Sequence, residues 1–242
     1  MQTVTSLAQA LAQAGAMQAP LEERLAAYAR ALRALNPPFA DAYDALVARL
    51  QAGHAGAGAP KVGDMMPPFI LPDWNGRLVG LESLLAKGPL ILSLNRGHWC
   101  PFCKLELTAL AQEKARFDAL GVAVASIMPD FPAYSARLKD LGVDFLVLSD
   151  IDNGYALDLS LAMWVGEPVR GLMAARGLAL NEFQGNGGWF LPIPATFVIG
   201  QDGRVKARTV DPDFRKRMAI DAIMNAAQKE VLATGRTWGA PA

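Results

Sequence analysis

Three short apolar runs set at intervals, with helical patterns between them, constrain this chain more than any other feature. Leu90-Ile91-Leu92-Ser93-Leu94, Val122-Ala123-Val124-Ala125-Ser126-Ile127 and Phe145-Leu146-Val147-Leu148 have the length and content of buried strands. Between the first two, Pro101 to Leu120 carries Leu105, Leu107, Leu110 and Phe117 and reads as a helix ending at Gly121. Between the last two, Tyr134 to Leu141 reads as another. Strand, helix, strand, helix, strand argues an α/β fold whose neighbouring strands run parallel.

The flanks extend this reading. Phe69-Ile70-Leu71 and Arg77-Leu78-Val79 bracket Asn75-Gly76 and predict a hairpin. Thr196-Phe197-Val198-Ile199 and Arg204-Val205-Lys206-Ala207 bracket Gln201-Asp202-Gly203 and predict a second. Tyr155 to about Leu180 reads as largely helical, Asn186-Gly187-Gly188-Trp189 as a loop, and Asp213 to about Ala233 as a closing helix.

Residues 1–59 have a different texture, rich in alanine and without strand-like alternation. Leu7 and Leu11 share a helical face. Leu21, Leu25, Tyr28, Leu32 and Leu35 recur at three and four, which predicts a helix from Pro20 to Leu35 stopped by Pro37-Pro38. A further helix is expected over Asp41 to Leu50. The small residues of Gly53-His54-Ala55-Gly56-Ala57-Gly58-Ala59-Pro60 read as a flexible linker. The expected division is an N-terminal helical extension with linker over 1–59 and an α/β domain over 60–242. The extension should pack on its own domain, although it could also offer a surface for a homodimer.

Lysine plus arginine and aspartate plus glutamate balance at 23 each, which gives no electrostatic reason to expect nucleic acid or an acidic membrane as partner. No apolar run is long enough to span a bilayer, and the first residues lack the pattern of a secretory signal. The expectation is a soluble, cytoplasmic protein.

Cys100 and Cys103 are the only two cysteines of the 242 residues. A bridge between them closes too short a loop to restrict the unfolded chain much, so structure alone is a weak reason to keep it. A structural zinc site needs four ligands; His98, Cys100 and Cys103 offer three, and the only other histidine, His54, lies in the linker. No metal and no cofactor is expected. A redox pair is the stronger reading, because the cysteines follow a buried strand and open a helix. There the helix dipole and unpaired N–H groups favour a thiolate, the attacking species. Pro101 suits the first helical turn. Cys100 is the expected attacking thiol, and Cys103, one turn on, the resolving thiol. Arg96 could add positive potential, and Trp99 could wall the substrate side. His98 and Glu106 are expected to be solvent-facing. Ile193-Pro194 is expected to be cis, turning the backbone of Ile193 toward a ligand.

The stretches Gly63-Asp64-Met65-Met66-Pro67-Pro68-Phe69, Leu71-Pro72-Asp73, Arg96-Gly97-His98-Trp99-Cys100-Pro101-Phe102-Cys103 and Pro194-Ala195-Thr196-Phe197-Val198-Ile199 resemble the peroxiredoxin-like branch of the alkyl hydroperoxide reductase and thiol-specific antioxidant family. The resemblance runs from about Val62 to Asp213. It implies a thioredoxin-like fold with a central mixed sheet, a peroxidatic Cys100, and electrons from thioredoxin or a similar dithiol. Two departures stand out. Gly97 occupies the position where that family places a Thr or Ser, and Pro194 the position of its Arg. Hydroperoxide reduction therefore competes with plain thiol–disulfide exchange, and both with a non-catalytic redox-sensing module.

Overall fold

The computed structural model describes residues 5–233. Its N-terminal part is three helices, α1 (Leu7–Ala16), α2 (Leu21–Leu35) and α3 (Pro37–Ala52). Pro20, expected in the first helical turn, is the N-cap of α2. The pair Pro37-Pro38 stops α2 at Leu35 as expected: Asn36, held out of helical backbone before Pro37, separates α2 from α3, its side chain accepts from the Phe39 N–H, and Pro37 becomes the first residue of α3.

A hairpin follows, β1 (Ile70–Pro72) with β2 (Leu78–Gly80), then α4 (Leu81–Leu85) and β3 (Leu90–Leu94). The predicted long helix is broken at Glu113 into α5 (Pro101–Gln112) and α6 (Lys114–Ala119). Next come β4 (Ala123–Met128), α7 (Pro132–Ser135) running into a 3-10 segment over Ala136–Leu141, and β5 (Leu146–Ser149).

The region read as largely helical holds α8 (Gly154–Asp158), β6 (Ala162–Trp164), α9 (Glu167–Ala174) and α10 (Leu180–Gln184). Strand β6 was not foreseen; it pairs with β7 (Phe190–Pro192) from beyond the Asn186–Trp189 loop. The chain closes with β8 (Ala195–Ile199), β9 (Val205–Val210) and α11 (Ile220–Ala233). Residues 213–219, expected to begin the last helix, are not helical. Asp211 and Asp213 accept from the N–H groups of Asp213 and Arg215, turns that compete with helix formation.

The central sheet runs β5-β4-β3-β8-β9, with β3, β4 and β5 parallel and β8 and β9 antiparallel. It is the mixed sheet of a thioredoxin-like α/β fold. Side-chain alternation splits its faces. Leu90, Leu92 and Leu94 of β3 join the core that includes Leu25, Tyr28, Phe39 and Leu46 of the N-terminal helices. Ile91 points the other way, toward Phe117 of α6 and Ile223 and Ala227 of α11.

The N-terminal helices thus share one core with the sheet. Buried Arg24 ties them to it. Its guanidinium donates to the carbonyls of Ala14 and Gly15 at the end of α1, and to Gln112 at the end of α5. The Gly53–Pro60 segment also packs, contrary to its reading as a flexible linker. A side chain on Gly56, where φ is +82°, would come within 2.9 Å of Val210. Ala59 is buried, and Arg208 donates to the carbonyls of Ala59 and Pro60 at 2.7 and 2.6 Å. Its residues are small because the chain passes close to its neighbours.

Candidate thiol active site

The loop between β3 and α5 carries the cysteine chemistry. Asn95 anchors it: its N–H donates to Ile127 on β4, and its amide donates to the hydroxyls of Ser93 and Ser126. Gly97 follows with φ +143°, a conformation that favours glycine. A β-carbon there would strike the Trp99 indole nitrogen and approach the Asp130 carboxylate at 2.9 Å. The absence of a Thr or Ser at this position is therefore steric. His98, expected at the surface, is buried. Its backbone N–H and its Nδ1 both donate to Asp130 at the end of β4, at 2.6 and 2.8 Å, and its ring packs against Tyr134 and Phe183.

Cys100 is the N-cap of α5 and Pro101 its first residue, as the sequence suggested. The two cysteines are unbridged and fully buried. Burial opposes ionisation of Cys100, but a hydrogen bond from Cys103, then the Arg96 and Arg217 guanidiniums, more than offset it. The thiol is held below its ordinary value, at about 6. Burial, and next the Cys100 sulfur, push Cys103 up. The two thiols are thus unequal, Cys100 favouring the thiolate and Cys103 the protonated form.

Two buried arginines flank them. Arg96 is 0 % exposed, and none of its three guanidinium nitrogens has a hydrogen-bond partner among the described residues. Aromatic rings surround it instead: Phe214 at 4.0 Å, Tyr43 and Trp99 at 5.3 Å. A desolvated cation over ring faces gains about 2 kcal/mol from such contacts. Burial alone would favour loss of its proton; Tyr43 and the two thiols keep it charged. Arg217, from the segment before α11, is fully paired. Its Nε donates to Glu106 at 2.7 Å, and its Nη2 reaches the Cys103 sulfur at 3.6 Å. Glu106, expected on a solvated helix face, is 1 % exposed and also accepts from Ser93 and Thr196.

Trp99 and Pro101, on either side of Cys100, line a cavity of about 90 Å³ with Tyr28, Tyr43, Phe102 and Arg176. A larger concavity, about 690 Å³, lies at the other end of the sheet near Leu85 and Gln201 and includes no residue of this loop. Ile193 and Pro194 sit at the cysteine end, since β8 begins at Ala195 opposite Leu94. The expected cis bond is absent: no peptide bond among the described residues is cis. The Ile193 N–H is already given to the Leu161 carbonyl at 2.7 Å, so it is not free to pair with a ligand. Tyr43, Asp130, Phe214 and Arg217 were not singled out from the sequence. A faint signal existed for Tyr43, an aromatic on a helix of the extension, but nothing local linked it to Cys100.

A mixed five-stranded sheet with a Cys-x-x-Cys at the head of the helix after its central strand defines a thiol oxidoreductase on the thioredoxin-like fold. The chain belongs to the AhpC/TSA family, whose model matches residues 62–208. It is similar to the thiol-disulfide oxidoreductase ResA of Bacillus subtilis, 26% identical over 155 residues that cover 62% of this chain and 68% of that one. Among solved structures it shares its fold with the peroxidoxin BcpB of Mycobacterium tuberculosis. That match has a TM-score of 0.55 at 22% identity, covering 72% of this chain and 97% of the other. It also shares it with peroxiredoxin 6 of Arenicola marina, with a TM-score of 0.58 at 17% identity, covering 75% and 78%. The family match ends before Phe214 and Arg217 and begins after Tyr43. No helix among the described residues is long and apolar enough to cross a membrane.

Proposed function

We propose that this protein reduces small hydroperoxides through Cys100 and Cys103, with electrons returned by thioredoxin or a similar dithiol. The observation that carries this reading is the full burial of the Cys100 sulfur beside an unpaired guanidinium. A protein disulfide cannot reach a sulfur enclosed in this way, whereas a molecule of a few atoms can. The cation both favours the thiolate and faces the charge that develops as an O–O bond breaks. Arg96 thus takes the place of the arginine that Pro194 displaces.

In the proposed cycle the Cys100 thiolate attacks one peroxide oxygen. A sulfenic acid forms and the other oxygen leaves as alcohol or water. The Cys103 thiol then displaces hydroxide from the sulfenic acid, which departs as water, and the two sulfurs bond. Arg217, 3.6 Å from Cys103, supports the thiolate form of that second attacker. Trp99 and Pro101 wall the approach to Cys100, and Ile193 and Pro194 back the site from the segment between β7 and β8. An external dithiol can reset the disulfide only if the head of α5 becomes accessible after oxidation.

Stopped-flow mixing of reduced protein with hydrogen peroxide, with mass analysis of Cys100, tests the proposal. The expected result is oxidation far faster than that of a free thiol, with a trapped sulfenic acid in Cys103→Ser and no reaction in Cys100→Ser. Oxidation at the free-thiol rate, together with rapid insulin reduction, would replace this reading with disulfide exchange.

A further inference from the structure

Hydroperoxide cleavage by a thiolate needs more than a nucleophile. The departing oxygen carries a full negative charge unless a proton meets it, and a positioned hydroxyl can supply that proton. Position 97, where the family has one, has no room for a side chain. Another hydroxyl is buried near Arg96 and Cys100. Tyr43 lies on α3, with its ring 5.3 Å from the Arg96 guanidinium carbon and 4.7 Å from the Phe214 ring, with which it makes an edge contact. It is buried and lines the small cavity together with Trp99 and Pro101, the two chain neighbours of Cys100. Among the described residues no carboxylate pairs with Arg96, and the Tyr43 hydroxyl is a polar group that interacts with its guanidinium.

We infer that the Tyr43 hydroxyl, contributed by the N-terminal helices, donates the proton that the departing peroxide oxygen takes, with Arg96 holding the charge. This deepens the hydroperoxide reading and rests on it. The Cys100 thiolate forms a bond to one oxygen of ROOH, the O–O bond breaks, and the electron pair goes to the second oxygen as RO⁻. That oxygen takes the Tyr43 proton to become ROH. The tyrosinate left beside Arg96 regains a proton from solvent. Sulfur is oxidised and the peroxide reduced, with sulfenic acid and alcohol as products.

Two further features fit. Burial, against a smaller opposing pull from Arg96, keeps Tyr43 above the ordinary tyrosine range, so the hydroxyl enters the reaction protonated. Tyr28, the other tyrosine of the cavity, packs edge-on against Phe102 at 5.2 Å and makes no ring contact with Arg96, so it is the natural comparison.

The test compares two reactions of the same thiolate in Tyr43→Phe, which keeps the ring and its packing. Oxidation of Cys100 by tert-butyl hydroperoxide needs a proton for its leaving group; alkylation by iodoacetamide, which expels iodide, needs none. The expected result is a loss of about 100-fold in the peroxide rate with the alkylation rate and the thiolate titration unchanged. Equal losses in both reactions would make Tyr43 a structural residue and overturn the inference. So would an unchanged peroxide rate, or a loss in Tyr28→Phe as large as that in Tyr43→Phe. Failure of the hydroperoxide reading itself shows elsewhere: wild-type protein would then oxidise no faster than a free thiol, and the inference would fall with it.

Discussion

The two sides of the cysteine pair each bury an arginine, and they handle the charge in opposite ways. On the Cys103 side, Arg217 meets Glu106, which is itself satisfied by Ser93 and Thr196. On the Cys100 side, Arg96 has ring faces and no anion. Burying an ion costs several kcal/mol unless a partner offsets it. One arrangement neutralises the cost inside the protein. The other leaves the compensating charge to be supplied by the thiolate, and so ties the comfort of Arg96 to the ionisation of Cys100. A closed polar network lies beside Cys103 and an open one beside Cys100, and in the proposed cycle this divides holding the fold from doing chemistry.

Substitutions at the two arginines should separate along that line. Arg217→Met leaves Glu106 buried without its cation and should lower unfolding free energy by about 3–5 kcal/mol in urea titrations. Arg96→Met removes an unpaired cation from an apolar box, and should stay within about 1.5 kcal/mol of wild type, as volume-conserving core changes do. Equal stability losses would show that the contrast is not energetic.

Rates should reverse the order. Arg96→Met should slow Cys100 oxidation by peroxide by about 100-fold, the size of effect seen when one preorganised donor is lost from a charge-developing site. Arg217→Met, measured where it remains folded, should act mainly on the later closure of the disulfide.

The pH profile sharpens the same point. With the Cys100 thiol held at about 6, the peroxide rate should rise with pH through that value and be level by neutrality. A free thiol would keep rising through ~8.5. Because the folded value is the lower one, the thiolate contributes stability above the unfolded value, and that contribution is lost as pH falls through about 6. In Arg96→Met the midpoint, followed by thiolate ultraviolet absorbance, should move up. An unmoved midpoint would deny Arg96 its electrostatic role. The smallest effect expected is a coupling. Adding Glu106→Gln to Arg217→Met should recover about 1–2 kcal/mol of the stability lost by the latter alone, since both charges are then gone.

Much of this site was legible because its parts are local. A buried strand, a loop and a proline-headed helix place Cys100 and Cys103 without reference to the rest of the chain. What was hidden is what arrives from afar. Tyr43 and Phe214 come from elements far away in sequence on either side, and no spacing rule links them to Arg96. Glu106 was misplaced because a polar residue in a helix ordinarily marks the solvent side, whereas α5 is covered on both faces, by α2 and by the sheet. The Gly53–Pro60 segment was misread for a related reason. Small residues serve flexibility and close packing alike, and composition cannot tell which.

The helices that cover Cys100 also bear on how this protein would wear out. Irreversible damage to a sulfenic acid requires a second oxidant molecule to arrive before the neighbouring thiol condenses with it. Here the neighbour is one helical turn away and already in contact, while α2 and α3 leave room around Trp99 for only about 90 Å³ of visitor. Such a roof makes each encounter with oxidant a single event and favours the repairable product over the terminal one.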